Sequence, residues 1–272
     1  MNAIIPPLVA VGVFFGISSA DAQIAVVGDL SNDRLTVPGE QYEGIISVHN
    51  DTQVPQEARV YQRDYTFQAD GTNIYGEPGS HPRSNARWIT FTPARLVIPP
   101  GGTTDVYFTV NVPIDTSGAI SGSFWSMLMV EGIPDDSPES SLHPIGAPPD
   151  MGVRQTIRYG IQIASHIQNT ARKDMKLVDP KVISSGDEGY MLQVDIENTG
   201  NAWMRPEVYV DLFDAQGVKT GRYSGNRYRI YPGTSVRQNI PLTSVRPGTY
   251  KALVVIDDGG SDIFGAQYTL QF

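Results

Sequence analysis

The sequence predicts an all-β protein built as two antiparallel β-sandwiches in tandem, and three observations carry that prediction. Apolar residues alternate with period two along most of the 272 residues. Clusters of Gly, Pro, Asn and Asp separate the alternating runs. A polar, basic stretch, His166–Lys176, interrupts the pattern, which then starts again. Period two places successive side chains on opposite faces of a strand. Short strands spaced by turn residues build sandwiches or barrels, and no segment shows a helical stripe of useful length.

Taken in order, the first element is not a strand. The apolar run Ile4–Ile17 precedes the small-residue site Ala20-Asp21-Ala22, which predicts a secretory signal over residues 1–22, cut before Gln23. No later segment is long and apolar enough for a transmembrane helix, so the mature chain is expected to be exported, without a membrane span. Strands are predicted at Glu43–Asn50, Ala58–Phe67, Thr104–Val112, Ser123–Val130 and Arg154–Ala164. Asn50-Asp51, Asp70-Gly71, Pro100-Gly101-Gly102 and Thr116-Ser117-Gly118 supply the turns. In "WITFTPARLVIPPGGTTDVYFTVNVP", Val106, Phe108, Val110 and Val112 share one face, and Trp88 is expected to enter the preceding strand and plug the sandwich. A buried Trp covers about 150–250 Å² and contributes about 4–6 kcal/mol by area.

Beyond a boundary near residues 168–173, strands are predicted around Leu177–Ile183, Tyr190–Asn198 and Glu207–Phe213. The two halves share a grammar. "ISVHNDT" corresponds to "VDIENTG", each a strand running into Asn, and "VIPPGGTTDVYFTVNVP" corresponds to "RIYPGTSVRQNIPL", each with a Pro-Gly turn before an alternating strand. "RPGTYKALVVID" closes the second half. The expectation is therefore two immunoglobulin-like domains, residues 23–168 and 174–272.

Little chemistry is encoded. The four histidines have no metal-binding spacing, and neither a nucleophile elbow, a phosphate loop nor a cysteine is present. "DDGGSD", Asp257–Asp262, lacks the ligand alternation of a calcium loop and is expected to be a hairpin turn. The net charge of −9 offers no basic stripe for a nucleic acid. The reading is a non-enzymatic protein with no metal and no cofactor. One strand stands out. In "SFWSMLMV", Phe124, Leu128 and Val130 fall on one face and Trp125, Met127 and Met129 on the other, although a sandwich strand needs only one apolar face. Either the Pro-rich segment Pro134–Asp150 or the other domain covers the second face, or Trp125 and Met127 form a partner surface. On the next strand, Arg154 and Arg158 lie opposite Ile157, Tyr159, Ile161 and Ile163. They either protect a sheet edge or hold a carboxylate.

"ISVHNDTQVPQEARVYQRDYTF", the Thr-Pro…Pro-Gly region and "GSFWSMLMVEGIPDD" resemble the first domain of periplasmic pilus-assembly chaperones of the chaperone–usher type, over roughly residues 24–165. The resemblance implies a periplasmic protein that binds an extracytoplasmic pilus or surface subunit by β-strand addition, with Val153–Ile163 as the donor strand. Arg154, Ile157, Arg158, Tyr159 and Ile161 would then face the partner. The family's basic pair is missing: "QIAVVGDL" has no basic residue, Gln162 stands near the second expected place, and Gln155 interrupts the apolar row. The sequence is also similar to Gram-positive surface proteins that interact with WxL-domain proteins, which implies instead a cell-surface component binding the cell wall or a neighbouring surface protein.

Overall fold

The structure is a computed structural model that describes residues 24–134, 137–142, 156–184, 189–260 and 262–272. The expected export signal, Arg154, Gln155, the start of the expected donor segment and residues 143–150 lie outside the described residues.

The first sandwich opens with β1 (Ile24–Val27), β2 (Ser31–Thr36), β3 (Gln41–Asn50), β4 (Gln56–Phe67) and β5 (Asn73–Gly76). It continues with β6 (Ile89–Thr92), β7 (Arg95–Ile98), β8 (Thr103–Asn111), β9 (Ser123–Ile133) and β10 (Arg158–Ile167). One sheet runs β1-β3-β8-β6; the other runs β2-β10-β9-β4-β5, with β7 also on β4. The chain changes sheet after Val27: β1 pairs antiparallel with β3, whereas β2 pairs with β10 in parallel, in an otherwise antiparallel domain. The expected row Val106, Phe108, Val110 and Val112 is buried against Leu128, Val130, Ile161 and Ile163 of the facing sheet.

Two serines interrupt that interior for a reason. Asn85 is fully buried, donates to Ile163 O at 3.0 Å and Ser165 Oγ at 3.1 Å, and accepts from Ser126 Oγ at 2.7 Å. Tyr42 OH meets the same Ser165 Oγ at 2.8 Å. Each polar group is satisfied, which removes the penalty of burying it. This arrangement also corrects the expectation for Trp88. With Asn85 drawn inside, the chain turns over it, Trp88 N donating to Asn85 O at 2.8 Å, and Ala86–Trp88 forms a single 3-10 turn. Trp88 is half-buried at the rim of the core, against Phe124, and does not plug it.

The second sandwich stacks β11 (Met175–Ser184), β12 (Tyr190–Asn198) and β15 (Ser235–Leu242) on a sheet ordered β14-β13-β16-β17. The latter comprises β13 (Glu207–Phe213), β14 (Lys219–Ser224), β16 (Thr249–Asp257) and β17 (Ile263–Gln271). β16 pairs antiparallel with β17, ending with Asp257 opposite Ile263, and Lys173 Nζ donates to Asp258 Oδ2 at 2.6 Å.

The repeated grammar of the halves has a physical basis. Asn50 and Asn198 are both completely buried. Asn50 Nδ2 donates to the carbonyls of Val54, Ile98 and Pro99 at 2.8–3.1 Å. Asn198 Nδ2 donates to Ala202 O at 2.8 Å and Ile230 O at 2.9 Å. In each domain one Asn ties a strand end to the Pro-Gly turn of a later strand.

Candidate functional site

The site is built around β10, whose two halves have different neighbours. Ile157 O accepts from Gly132 N at 3.3 Å. Antiparallel pairing alternates the direction of backbone groups, so odd-numbered residues of β10 bond to β9 and even-numbered ones point away. Gln162 N donates to Leu30 O at 2.9 Å and Gln168 N to Thr36 O at 2.9 Å, because the β2 register begins with Gln162 opposite Ser31. Upstream of that point β2 has left the sheet. The N–H and C=O groups of Arg158 and Gly160 therefore face outward with no backbone partner among the described residues.

Side chains behave differently from the expectation. Ile161 and Ile163 are buried in the domain's own core, and Tyr159 packs on that core with its OH donating to Ile24 O at 3.0 Å. Ile157, just before β10, is half-buried. The apolar row turns inward because the antiparallel register with β9 puts it opposite Leu128 and Val130. Arg158 points outward, but Glu131 on β9 already holds it, at 3.0 Å from Nε and 3.2 Å from Nη2. Arg59 and Tyr61 OH share that carboxylate, at 3.0 Å and 2.6 Å. Burial pushes the Glu131 carboxyl up, but hydrogen bonds from Arg158, Tyr61 and Arg59 outweigh it and hold it at about 2. An incoming carboxylate would have to compete with Glu131 for Arg158. A groove of about 600 Å³ lies over this region, lined by Arg59, Tyr61, Arg63, Tyr75, Met129 and Arg158 among others.

The second apolar face of β9 is not open. Trp125 is 1% exposed, its ring stacked at 4.4 Å and 17° on Tyr231 of the second domain, and its Nε1 donates to Tyr65 O at 2.7 Å. Met127 is buried between Arg63 and Gln162 on the neighbouring strands, with its sulfur against Gly160. The second domain thus covers one end of the face. At the other end, Ser141 N donates to Glu57 Oε2 at 2.7 Å and Arg59 to Glu139 at 2.9 Å, so residues 137–142 lie against the Glu57–Arg59 stretch of β4, while Met129 is buried at the floor of the groove. Trp125 and Met127 are parts of the domain junction and its flank, not an exposed partner surface.

The junction contains residues that local pattern reading missed. Arg229 donates to both oxygens of Asp33 at 2.8 Å, and its guanidinium lies 4.4 Å from the Trp203 ring centroid. His166 Nε2 lies 3.1 Å from Asp33 Oδ1 and Tyr231 OH 3.2 Å from Gln162 Oε1. Burial raises the Tyr231 hydroxyl to about 12, so it stays protonated and donates. Gly122 closes the junction: its φ is +75°, and a β-carbon there would lie 1.9 Å from Asn201 O. An Asp33–Arg229 pair thus lies beside Gln162 and His166 of β10.

Burial pushes the Asp33 carboxyl up, but the bonds from His166 and Arg229 together with the Arg229 charge hold it at about 2. A carboxyl lowered in the folded state adds stability that is complete above its unfolded value of about 4 and is lost as pH falls through the folded value. Asp33→Asn should therefore cost on the order of 1 kcal/mol near neutral pH, solvent screening included. The gap between variant and parent melting curves should close as pH falls from about 4 to 2. A gap independent of pH would show that the pair does not set junction stability.

No family model matches the sequence, and no curated relative matches it. The chain is similar in structure to several solved fimbrial chaperones. A chaperone–tip adhesin complex of CFA/I fimbriae biogenesis aligns at 14% identity over 91% of this chain and 98% of that one, with a TM-score of 0.49. A pre-assembly complex of archaic chaperone-usher Csu pili from Acinetobacter baumannii aligns at 11%, over 90% and 98%, with a TM-score of 0.44. The E. coli chaperone DraB aligns at 13%, over 90% and 98%, with a TM-score of 0.41. At this level of identity and overlap the likeness assigns no residue a role. Among the described residues, no helix is long and apolar enough to cross a membrane.

Proposed function

We propose that the protein is a non-enzymatic, exported chaperone that binds extracytoplasmic pilus or surface subunits by accepting a subunit strand along the free edge of β10. The observation that carries this reading is the pair of unpartnered outward residues, Arg158 and Gly160, at the point where β2 departs. A sheet edge with free N–H and C=O groups is a template for another chain, and main-chain bonds then supply the affinity. Leu30 and Val27, on the crossover that opens the edge, are 47% and 57% exposed and offer apolar contact to the incoming strand. The inward turn of Ile161 and Ile163 means that the β10 residues from Ile161 onward stay in their own core. Affinity rests on the backbone groups of Arg158 and Gly160 and on apolar contact with Leu30 and Val27.

Arg158→Pro tests the edge directly. Proline deletes one outward N–H without touching the bonds to β9, and the first residue of a strand tolerates it. Arg158→Ala serves as the control, since it breaks the Glu131 pair but keeps the N–H. In co-expression with a pilus-type subunit, the Pro variant should recover roughly tenfold less subunit, at the melting temperature of the Ala variant, and the Ala variant nearly as much as the parent. Equal recovery by the Pro variant would rule out strand addition at this edge.

A further inference from the structure

The second domain carries another open edge, and it differs from its neighbours. Sheet edges that must stay unpaired carry charges, prolines or bulges. Three of the four edge strands of this domain do so. β11 contains Lys176, Lys181 and Pro180, with a register shift between Val178 and Lys181. β14 contains Lys219 and Arg222, and β15 contains Arg237 and Pro241. β17, "IFGAQYTLQ", has no charge, no proline and no register shift over nine residues.

Its free groups can be assigned. Phe272 N donates to Gly248 O at 3.0 Å and Gly248 N to Phe272 O at 3.2 Å. By alternation along the register with β16, Phe264, Ala266, Tyr268 and Leu270 bond inward. Ile263, Gly265, Gln267, Thr269 and Gln271 direct their backbone groups outward. All five are exposed, and none has a backbone partner on that side among the described residues.

We propose that β17 pairs with β17 of a second copy of this chain, antiparallel about a two-fold axis at Gln267. Gln267 is the middle of the five outward residues, so this register lets every one of them bond. It sets Ile263 opposite Gln271 of the second copy, Gly265 opposite Thr269, and Gln267 opposite itself. On the inner face Phe264 meets Leu270 and Ala266 meets Tyr268, so small residues oppose large ones and apolar ones oppose apolar. The strand fits its own copy because no position brings charge to the seam. The two sheets become one continuous sheet through an isologous contact. This edge is remote in sequence from β10, and the inference stands apart from subunit binding.

The sequence has no cysteine, so introduced thiols report the register cleanly. Residues in a hydrogen-bonded antiparallel pair have Cα atoms about 5.5 Å apart, within the span of a disulfide. Under mild oxidation Gln267→Cys should give a covalent dimer. Ile263→Cys alone should not, and the Ile263→Cys, Gln271→Cys double variant should. In sedimentation the parent should be a dimer at high concentration, undiminished by added salt, and Gln267→Lys a monomer with the parent's melting temperature. A parent that stays monomeric, or a dimer that survives Gln267→Lys without cross-linking at position 267, would overturn the proposal.

Discussion

Trp125→Ala is expected to destabilise the protein by about 3–5 kcal/mol, a cost typical of large core truncations. The residue sits on the outer face of β9, yet only 1% of it is exposed, because Tyr231 stacks on its ring. Truncation leaves a cavity between the domains and deprives Tyr65 O of the indole N–H it accepts. It also bares one face of the Tyr231 ring. Domains of ordinary stability have about 5–15 kcal/mol in total, so the loss should be obvious in equilibrium denaturation. Tyr231→Ala should cost a similar amount. The double variant should cost less than the sum, with a coupling of about 1–3 kcal/mol, since the two rings stack directly on one another. Additive costs would show that the rings do not support one another and that the junction is not a packed interface.

The second large effect belongs to the paired asparagines. Asn50→Ala and Asn198→Ala should each cost about 2–4 kcal/mol, because each strands buried carbonyls, that of Ile98 in the first domain and those of Ala202 and Ile230 in the second. Aspartate should be at least as harmful. It matches the shape of asparagine, but an ionised carboxylate has no N–H to donate, and its charge would face the carbonyls of Ile98 and Pro99, or of Ile230. Chemical denaturation of the four variants measures this. Aspartate variants as stable as the parent would mean that these side chains do not hold the turns.

Much of this fold was legible because one buried face per strand leaves a clear period. β3, β8 and β12 carry one apolar row each, and their predicted and observed spans nearly coincide. β2 and β14 did not announce themselves: "SNDRLT" and "KTGRYS" have no apolar row. β2 is held by parallel pairing with β10 and by the Asp33–Arg229 pair, a contact across 196 positions that no local window contains. The site was legible only in outline. Two apolar faces on β9 signalled that something must cover Trp125, but not that Tyr231 does so. Arg158 was visible as an outward cation, whereas its neutralisation by Glu131 depends on cross-strand register, which alternation alone leaves open. The open edge itself arises from the sheet change between β1 and β2, a feature of topology and not of residue type.

Amide hydrogen exchange at Arg158 and Gly160, read residue by residue in the whole 272-residue chain with and without a bound subunit, tests strand addition at β10 most directly. Free amides on an open edge exchange fast, and amides in a sheet ladder are protected. The account predicts that both amides exchange rapidly in the free protein while Ile161 and Ile163 are protected, and that both become protected in the complex. A stable complex in which Arg158 and Gly160 still exchange as fast as in the free protein would contradict it.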